Sequence, residues 1–219
     1  MASTRPRVSR AARISRRTVI GTAFALGAPI LLAAQAHAAA ALGQAAPDFS
    51  ATDTAGKAVR LADFKGKYVV LEWVNPGCPF VRKHYGSGNI PALQKEFTGK
   101  GVVWLSINST ETASSDYQPP AQLAEWMKHQ SAAPTATLMD VEGTIGRAYG
   151  ARTTPHMYII DPQGKLIYAG GIDSIASARV DDIKTATNYV RQGLGEALAG
   201  KAVSTAAAAP YGCSIKYKS

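Results

Sequence analysis

Residues 68–81 read YVVLEWVNPGCPFV, and the change of character inside this stretch decides the fold. Tyr68–Val74 is an apolar run interrupted only by Glu72, the pattern of a central strand covered on both faces. Pro76-Gly77 then turns the chain. Pro79 suits the first position of a helix, because the N–H it lacks is one the helix leaves unpaired there, and this puts Cys78 at the cap. Backbone N–H groups and the positive helix end favour a thiolate at such a position, and the thiolate is the reactive form. Cys78 is therefore the candidate nucleophile, weighed against the plainer reading of a small buried hydrophobe. Arg82, four residues on and on the same helix face, adds positive charge.

Outward from this stretch, Phe80, Val81 and Tyr85 form the buried side of a short helix that Gly86-Ser87-Gly88 ends. Asn89 is a candidate cap for a second segment, with Ile90, Leu93 and Phe97 repeating at three and four. Strand 102–108 follows, then a helix through Leu123, Trp126 and Met127, strand 135–139 and a helical turn over 143–150. Thr154-Pro155 opens strand 156–160, which the turn Asp161–Gly164 joins to strand 166–170. The pattern predicts a last helix over 179–199, with Val180, Ile183, Thr187, Val190, Leu194 and Leu198 on one face and Gly200 at its exit. Upstream, Gly56-Lys57 marks a hairpin. Strands alternating with helices, closed by a hairpin and a helix, predict one α/β domain over residues 39–200. Residues 201–219 read as a flexible alanine-rich tail that carries Tyr211-Gly212-Cys213. Neither GxGxxG nor GxxxxGK[ST] occurs, so no phosphate-cradling loop is offered.

The charge of +9 on 219 residues invites a nucleic-acid or anionic-membrane partner until its location is read. Six of the 24 basic residues lie in the first 17 positions, ahead of the apolar stretch TVIGTAFALGAPILLAAQAHA and the small-x-small exit Ala36-His37-Ala38. That is the layout of a secretory signal, and Arg16-Arg17 within SRRTVI resembles a twin-arginine export signal. A retained anchor is the alternative, against which Gly21, Gly27 and Pro29 interrupt the stretch. With residues 1–38 removed, 18 basic residues face 15 acidic ones and no dense basic run remains, so no nucleic-acid partner and no stable membrane span are expected. The expected location is the periplasm or another space outside the cytosol, where disulfides persist. Both cysteines, Cys78 and Cys213, lie in the exported part, too few for a disulfide framework.

The combination of Ala46-Pro47-Asp48-Phe49, Leu61-x-Asp63-Phe64-x-Gly66-Lys67, Trp73 to Cys78-Pro79, Thr154-Pro155 and Asp161-x-x-Gly164-Lys165 resembles the thioredoxin-like fold, and within it the peroxiredoxin-like redoxins grouped with alkyl hydroperoxide reductase and thiol-specific antioxidant proteins. The resemblance covers about residues 42–200. It implies a central mixed β-sheet flanked by helices, no cofactor, and a redox cysteine acting on a disulfide, a sulfenic acid or a peroxide, with electrons from an external thiol or a thioredoxin-like partner. Cys78-Pro79-Phe80-Val81 stands where thioredoxins have Cys-x-x-Cys, so the second cysteine is replaced by Val81. By the same resemblance Glu72 takes the place of a buried acid, Pro155 that of a cis-proline facing the cysteine, and Thr154 that of a backbone contact to substrate. Peroxiredoxins place a proline seven residues and a Thr or Ser three residues before the attacking cysteine; here those positions are Leu71 and Asn75.

A mixed disulfide must be released by a second thiol, and Cys213 is the only internal one. It is the candidate resolving residue, with a structural disulfide or pairing between chains as alternatives. Glu72 is a candidate for proton transfer, since a buried carboxyl has a raised pKa, or else a satisfied structural acid. His156 is a candidate substrate contact beside Pro155 or a structural strand histidine, and Trp73 belongs to the core. His84 and His129 are expected on helix surfaces. The competing function class is a non-catalytic binding module, including a copper carrier using Cys78, His156 and Met157, since thiolate, imidazole and thioether suit copper.

Overall fold

The computed structural model describes residues 1–3 and 40–218, so the export-signal reading of residues 1–38 falls almost wholly outside the described residues. Strand β3 (Val69–Trp73) is buried at every position, as its apolar pattern broken only by Glu72 requires, and is an interior strand of a seven-stranded sheet. Parallel β4 (Val103–Asn108) lies on one side of it and antiparallel β7 (His156–Ile160) on the other. Beyond β4 come β5 (Ala136–Met139) and the hairpin of β1 (Ser50–Asp53) and β2 (Ala58–Arg60); beyond β7 comes β8 (Leu166–Gly170). The sheet is mixed, with helices on both faces, and the fold is thioredoxin-like.

Alternation along β3 sorts the core into two layers. Val70 and Val74 face α1 (Pro79–Gly86), α2 (Asn89–Gly99) and α5 (Tyr189–Leu198), together with Cys78, Tyr85, Phe97, Met157 and Leu194. Val69, Leu71 and Trp73 face the other way, toward Leu105, Tyr158 and the helix α4 (Thr144–Tyr149). Helix α3 (Pro120–His129) buries Leu123 and Met127, two of the three residues read as its inner face.

Three local expectations are corrected. Gly88, at φ +75°, caps α2, and Asn89 is its first helical residue, its amide turned instead to Nδ1 of His84 at 2.8 Å. The last helix does not run from 179 to 199: a 3₁₀ turn (Val180–Lys184) precedes α5, and residues 185–188 between them form a turn and a bend that end in extended Asn188. They are pulled out of the helix by pairing with 173–174, where Ser174 and Thr187 exchange backbone and hydroxyl hydrogen bonds and Asp173 bridges Asn188. Asn188 then caps α5 by accepting from the Arg191 N–H at 2.9 Å. The third correction is the tail. Residues 206–217 lie packed along the sheet edge, Ala207 bridging Ala169, and β9 (Cys213–Ser214) pairs antiparallel with the two-residue strand β6 (Thr153–Thr154). Alanines allow the close backbone approach, and Tyr211 and Tyr217 supply the apolar anchors that alanines lack.

Candidate active site

The turn after β3 is built by Asn75. Its side-chain oxygen accepts from the Gly77 N–H at 2.7 Å, and its amide donates to Thr110 Oγ1 at 2.8 Å, tying the turn to the loop after β4. Cys78 is extended, at φ −78° and ψ 124°, as the residue before a proline prefers, and α1 starts at Pro79. Arg82 Nε donates to the Pro76 carbonyl at 2.8 Å, so this exposed guanidinium braces the turn from outside. Cys78 itself is only 2% exposed, and its thiol donates to the Thr154 carbonyl at 3.0 Å. The Thr154–Pro155 peptide is cis.

The same Thr154 is the β-partner of Cys213. One residue thus holds both thiols, Cys78 through its carbonyl and Cys213 through the strand ladder. Both are free thiols. Burial, then hydrogen bonding with Cys78 and its charge, pushes the Cys213 thiol up to about 12. A cavity of about 30 Å³ remains between them, lined by Asn75, Thr110, Asp116 and Ser214 among others, with room for a molecule or two of water size. Asn75 stands out in the sequence only as a departure from the peroxiredoxin pattern, and for Thr110 and Asp116 the polar character of 106–116 beside an apolar strand is the one hint.

Glu72 lies deeper, fully buried, and its carboxylate is ringed by donors: Trp104 Nε1 at 2.7 Å, Tyr85 Oη at 2.8 Å, Gln94 Nε2 and Ser106 Oγ at 3.1 Å. Burial raises its pKa while these bonds pull it back. Cys78 is not among its hydrogen-bond partners, and the network ties α1 and α2 to β3 and β4, which favours the structural-acid reading over proton transfer.

His156 is corrected more sharply. It sits opposite Trp73 in the ladder, stacks at 4.6 Å on Tyr158, and so belongs to the sheet face away from Cys78. Period-two alternation is the reason: Met157 faces the cysteine layer and His156 cannot. Burial, and then the charge of Arg152, lower its pKa to about 4. The trio Cys78, His156 and Met157 is therefore not assembled.

His129 is exposed beside Glu125, but His84 is fully buried, contrary to expectation. With Lys83 it packs against Asp173, at 3.7 Å from His84 and 3.6 Å from Lys83. The Tyr211 hydroxyl donates to Asp173 and meets His84 Nε2 at 3.1 Å. Burial chiefly lowers the His84 pKa to about 4. The basic run Arg82-Lys83-His84 concealed this cluster, because its buried carboxylate comes from residue 173 and its hydroxyl from the tail.

A cysteine at a helix cap, facing a cis-proline peptide on a mixed sheet, defines a thioredoxin-like redoxin. Residues 42–169, more than half of the chain, match the AhpC/TSA family, and the chain belongs to that family. Among curated relatives it is 31% identical over 127 residues to thiol-disulfide oxidoreductase ResA of Bacillus thuringiensis subsp. konkukian, covering 58% of this chain and 67% of the relative. Among solved structures it is similar to an uncharacterized conserved protein from Geobacillus kaustophilus, with a TM-score of 0.70 and 28% identity over 81% of this chain and 93% of that one. A hypothetical protein of Sinorhizobium meliloti 1021 superimposes with a TM-score of 0.72 and 25% identity, over 82% and 96% of the two chains.

Proposed function

We propose that the protein is an exported thiol–disulfide oxidoreductase in which Cys78 is the nucleophile and Cys213 the resolving thiol. The observation that carries this reading is the double use of Thr154, whose carbonyl accepts from Cys78 and whose backbone pairs with Cys213. The Cys78 thiolate attacks one sulfur of a disulfide RS–SR′, forming Cys78–S–SR and expelling R′S⁻, which takes a proton. Cys213 then attacks the Cys78 sulfur, the Cys78–SR bond breaks, and RS⁻ leaves and is protonated. Two electrons pass from the protein dithiol to the substrate, and an external thiol or a thioredoxin-like partner restores them.

The raised pKa of Cys213 supports the order of the two steps. Part of the shift comes from Cys78, and that part disappears once the Cys78 sulfur is capped in the mixed disulfide. Cys213 thus holds its proton before the first attack and releases it more readily afterwards. The relative named ResA favours a disulfide substrate. A hydroperoxide is the second reading, carried by family membership, but Leu71 and Asn75 occupy the two positions where peroxiredoxins have Pro and Thr or Ser, and Asn75 is committed to the turn. On this reading residues 1–38 are a twin-arginine signal and the enzyme works outside the cytosol.

Peptide mapping without reductant tests the pair. After oxidation by 2-hydroxyethyl disulfide, a linked Cys78–Cys213 peptide is expected, Cys213→Ser traps the mixed disulfide at Cys78, and Cys78→Ser loses turnover. Two separate thiols after oxidation, or turnover that survives Cys78→Ser, overturn the assignment.

A further inference from the structure

The segment that brings Cys213 to the site is seated more firmly than delivery of one thiol requires. Ala208 N donates to the Ala169 carbonyl at 3.3 Å, and a side chain on Gly170 would collide with the Ala208 backbone. Next to the cysteine, Gly212 adopts φ +135°, and a Cβ there would collide with the Thr154 carbonyl oxygen. This is the oxygen that accepts from Cys78. Only glycine lets the chain pass so close. Before Gly212, Tyr211 sets its ring edge on Phe80 at 5.8 Å and its hydroxyl on Asp173. After Ser214, the Ile215 N–H donates to Arg152 at 3.1 Å, Lys216 accepts from Glu111 at 2.8 Å, and the Tyr217 hydroxyl donates to Ala151 at 2.7 Å.

A neighbouring strand needs a lane about 4.8 Å wide beside its partner. The lane beside Thr154 is filled by β9, Cys78 is covered, and about 30 Å³ is left at the thiols. A cystine within a polypeptide brings backbone on both sides of its sulfur, and that backbone has nowhere to lie. A disulfide between two slender alkyl arms brings no backbone, so it can reach Cys78 by displacing exposed side chains at the cavity rim, Asp116 among them, with β9 left in place, whereas a polypeptide needs the strand itself to leave.

We propose that residues 206–217 form a resident strand that sets the substrate class of the Cys78 site, admitting low-molecular-weight disulfides and excluding polypeptide disulfides, with Gly212 and Tyr211 as the specificity-determining residues. This rests on the reading of Cys78 as a disulfide-exchanging nucleophile, and it adds which disulfides reach it.

The test compares kcat/KM for 2-hydroxyethyl disulfide and for insulin, using the full chain and excess glutathione as terminal thiol in both assays. Wild type should favour the small disulfide. Gly212→Ala, which unseats the strand, should raise the insulin-to-small ratio by about tenfold or more, and Tyr211→Phe should raise it by a smaller factor. Cys213→Ser keeps the strand seated and should slow both substrates without raising the ratio. Circular dichroism of each variant establishes that it is folded, and Tyr211→Phe carries the test if Gly212→Ala is not. Insulin turnover equal to that of the small disulfide in wild type, or an unchanged ratio in the folded variants, overturns the proposal while leaving the nucleophile intact. No turnover of either substrate by wild type overturns the nucleophile as well.

Discussion

Helix α1 touches two buried carboxylates, and the protein surrounds them in opposite ways. Glu72 receives four side-chain donors from α1, α2 and β4, all elements of the central layer. Asp173 faces Lys83 and His84 of α1 and Tyr211 of the packed tail, and it leaves two polar atoms, Asp173 Oδ2 and Lys83 Nζ, without hydrogen-bond partners. One network is closed and confined to the body of the fold. The other is an ion pair, incompletely hydrogen-bonded, at the seam where the tail docks. Satisfied groups fix a core, whereas a charge pair at a seam ties the docking of one segment to the integrity of the helix beneath it.

The sharpest way to break this comparison is to remove one charge from the seam. Asp173→Ala leaves the Lys83 ammonium buried without its counter-ion, and about 3–5 kcal/mol of stability should be lost. Urea unfolding followed by tryptophan fluorescence reads this directly. A loss below that of Glu72→Gln would show that Lys83 finds solvent when Asp173 is gone. Glu72→Gln keeps shape but replaces an acceptor with an amide that must point a donor at one of the surrounding donors. The expected cost is about 1–3 kcal/mol, the penalty of a buried polar group left unpaired.

The two networks also respond to pH with opposite sign. His84 has its pKa lowered from 6.5 to about 4, so the unfolded chain binds a proton that the folded one refuses. Its contribution to stability is complete above pH 6.5 and is lost as pH falls toward 4, at up to about 1.4 kcal/mol per pH unit. His156 acts in the same direction. Glu72 has its pKa raised from 4.5, so it favours the folded state most at low pH and that advantage is lost as pH rises through 4.5 and beyond. In urea midpoints measured from pH 7 down to pH 4, His84→Gln should flatten the acid decline and Glu72→Gln should steepen it. Equal slopes in the two variants would mean that neither network titrates as its surroundings require.

The same two regions differ in how much of them is legible in the sequence. The strand at 68–74, the cap at Cys78 and the turn between them are local, and local patterns of apolar run, Pro-Gly and Pro at the first helical position were sufficient to read them. The strands themselves were legible from their alternation with helices, but the order that sets β3 between β4 and β7 arises from pairing between segments far apart in the chain. The position of His156 was open to the period-two rule, since counting from Met157 puts it on the opposite face. The docked tail was not legible, because a run of alanines carries no periodicity and its seat is made by glycines at 170 and 212 whose role exists only in the pairing. The burial of Lys83 and His84 was equally hidden, since the carboxylate that makes it tolerable is about ninety residues away and the hydroxyl more than a hundred. The break in the last helix at 185–188 is another long-range effect, a tertiary pairing with 173–174 that outweighs helix propensity.

The smallest expected effect separates the two regions most finely. Tyr211→Phe removes one hydroxyl from the Asp173 seam and leaves the ring, with its packing on Phe80, in place. The global cost should be about 0.5–1.5 kcal/mol, the net worth of one hydrogen bond, because the body of the fold does not depend on the tail. The local cost is concentrated where the tail is held. Amide hydrogen exchange should therefore quicken at Cys213, Ile215 and the Thr154 partner strand while the amides of β3 and β4 keep wild-type protection. Exchange that quickens uniformly would show that seam and core unfold as one unit. Exchange confined to the tail would show that a hydroxyl two residues before Cys213 controls how long that thiol stays beside Cys78.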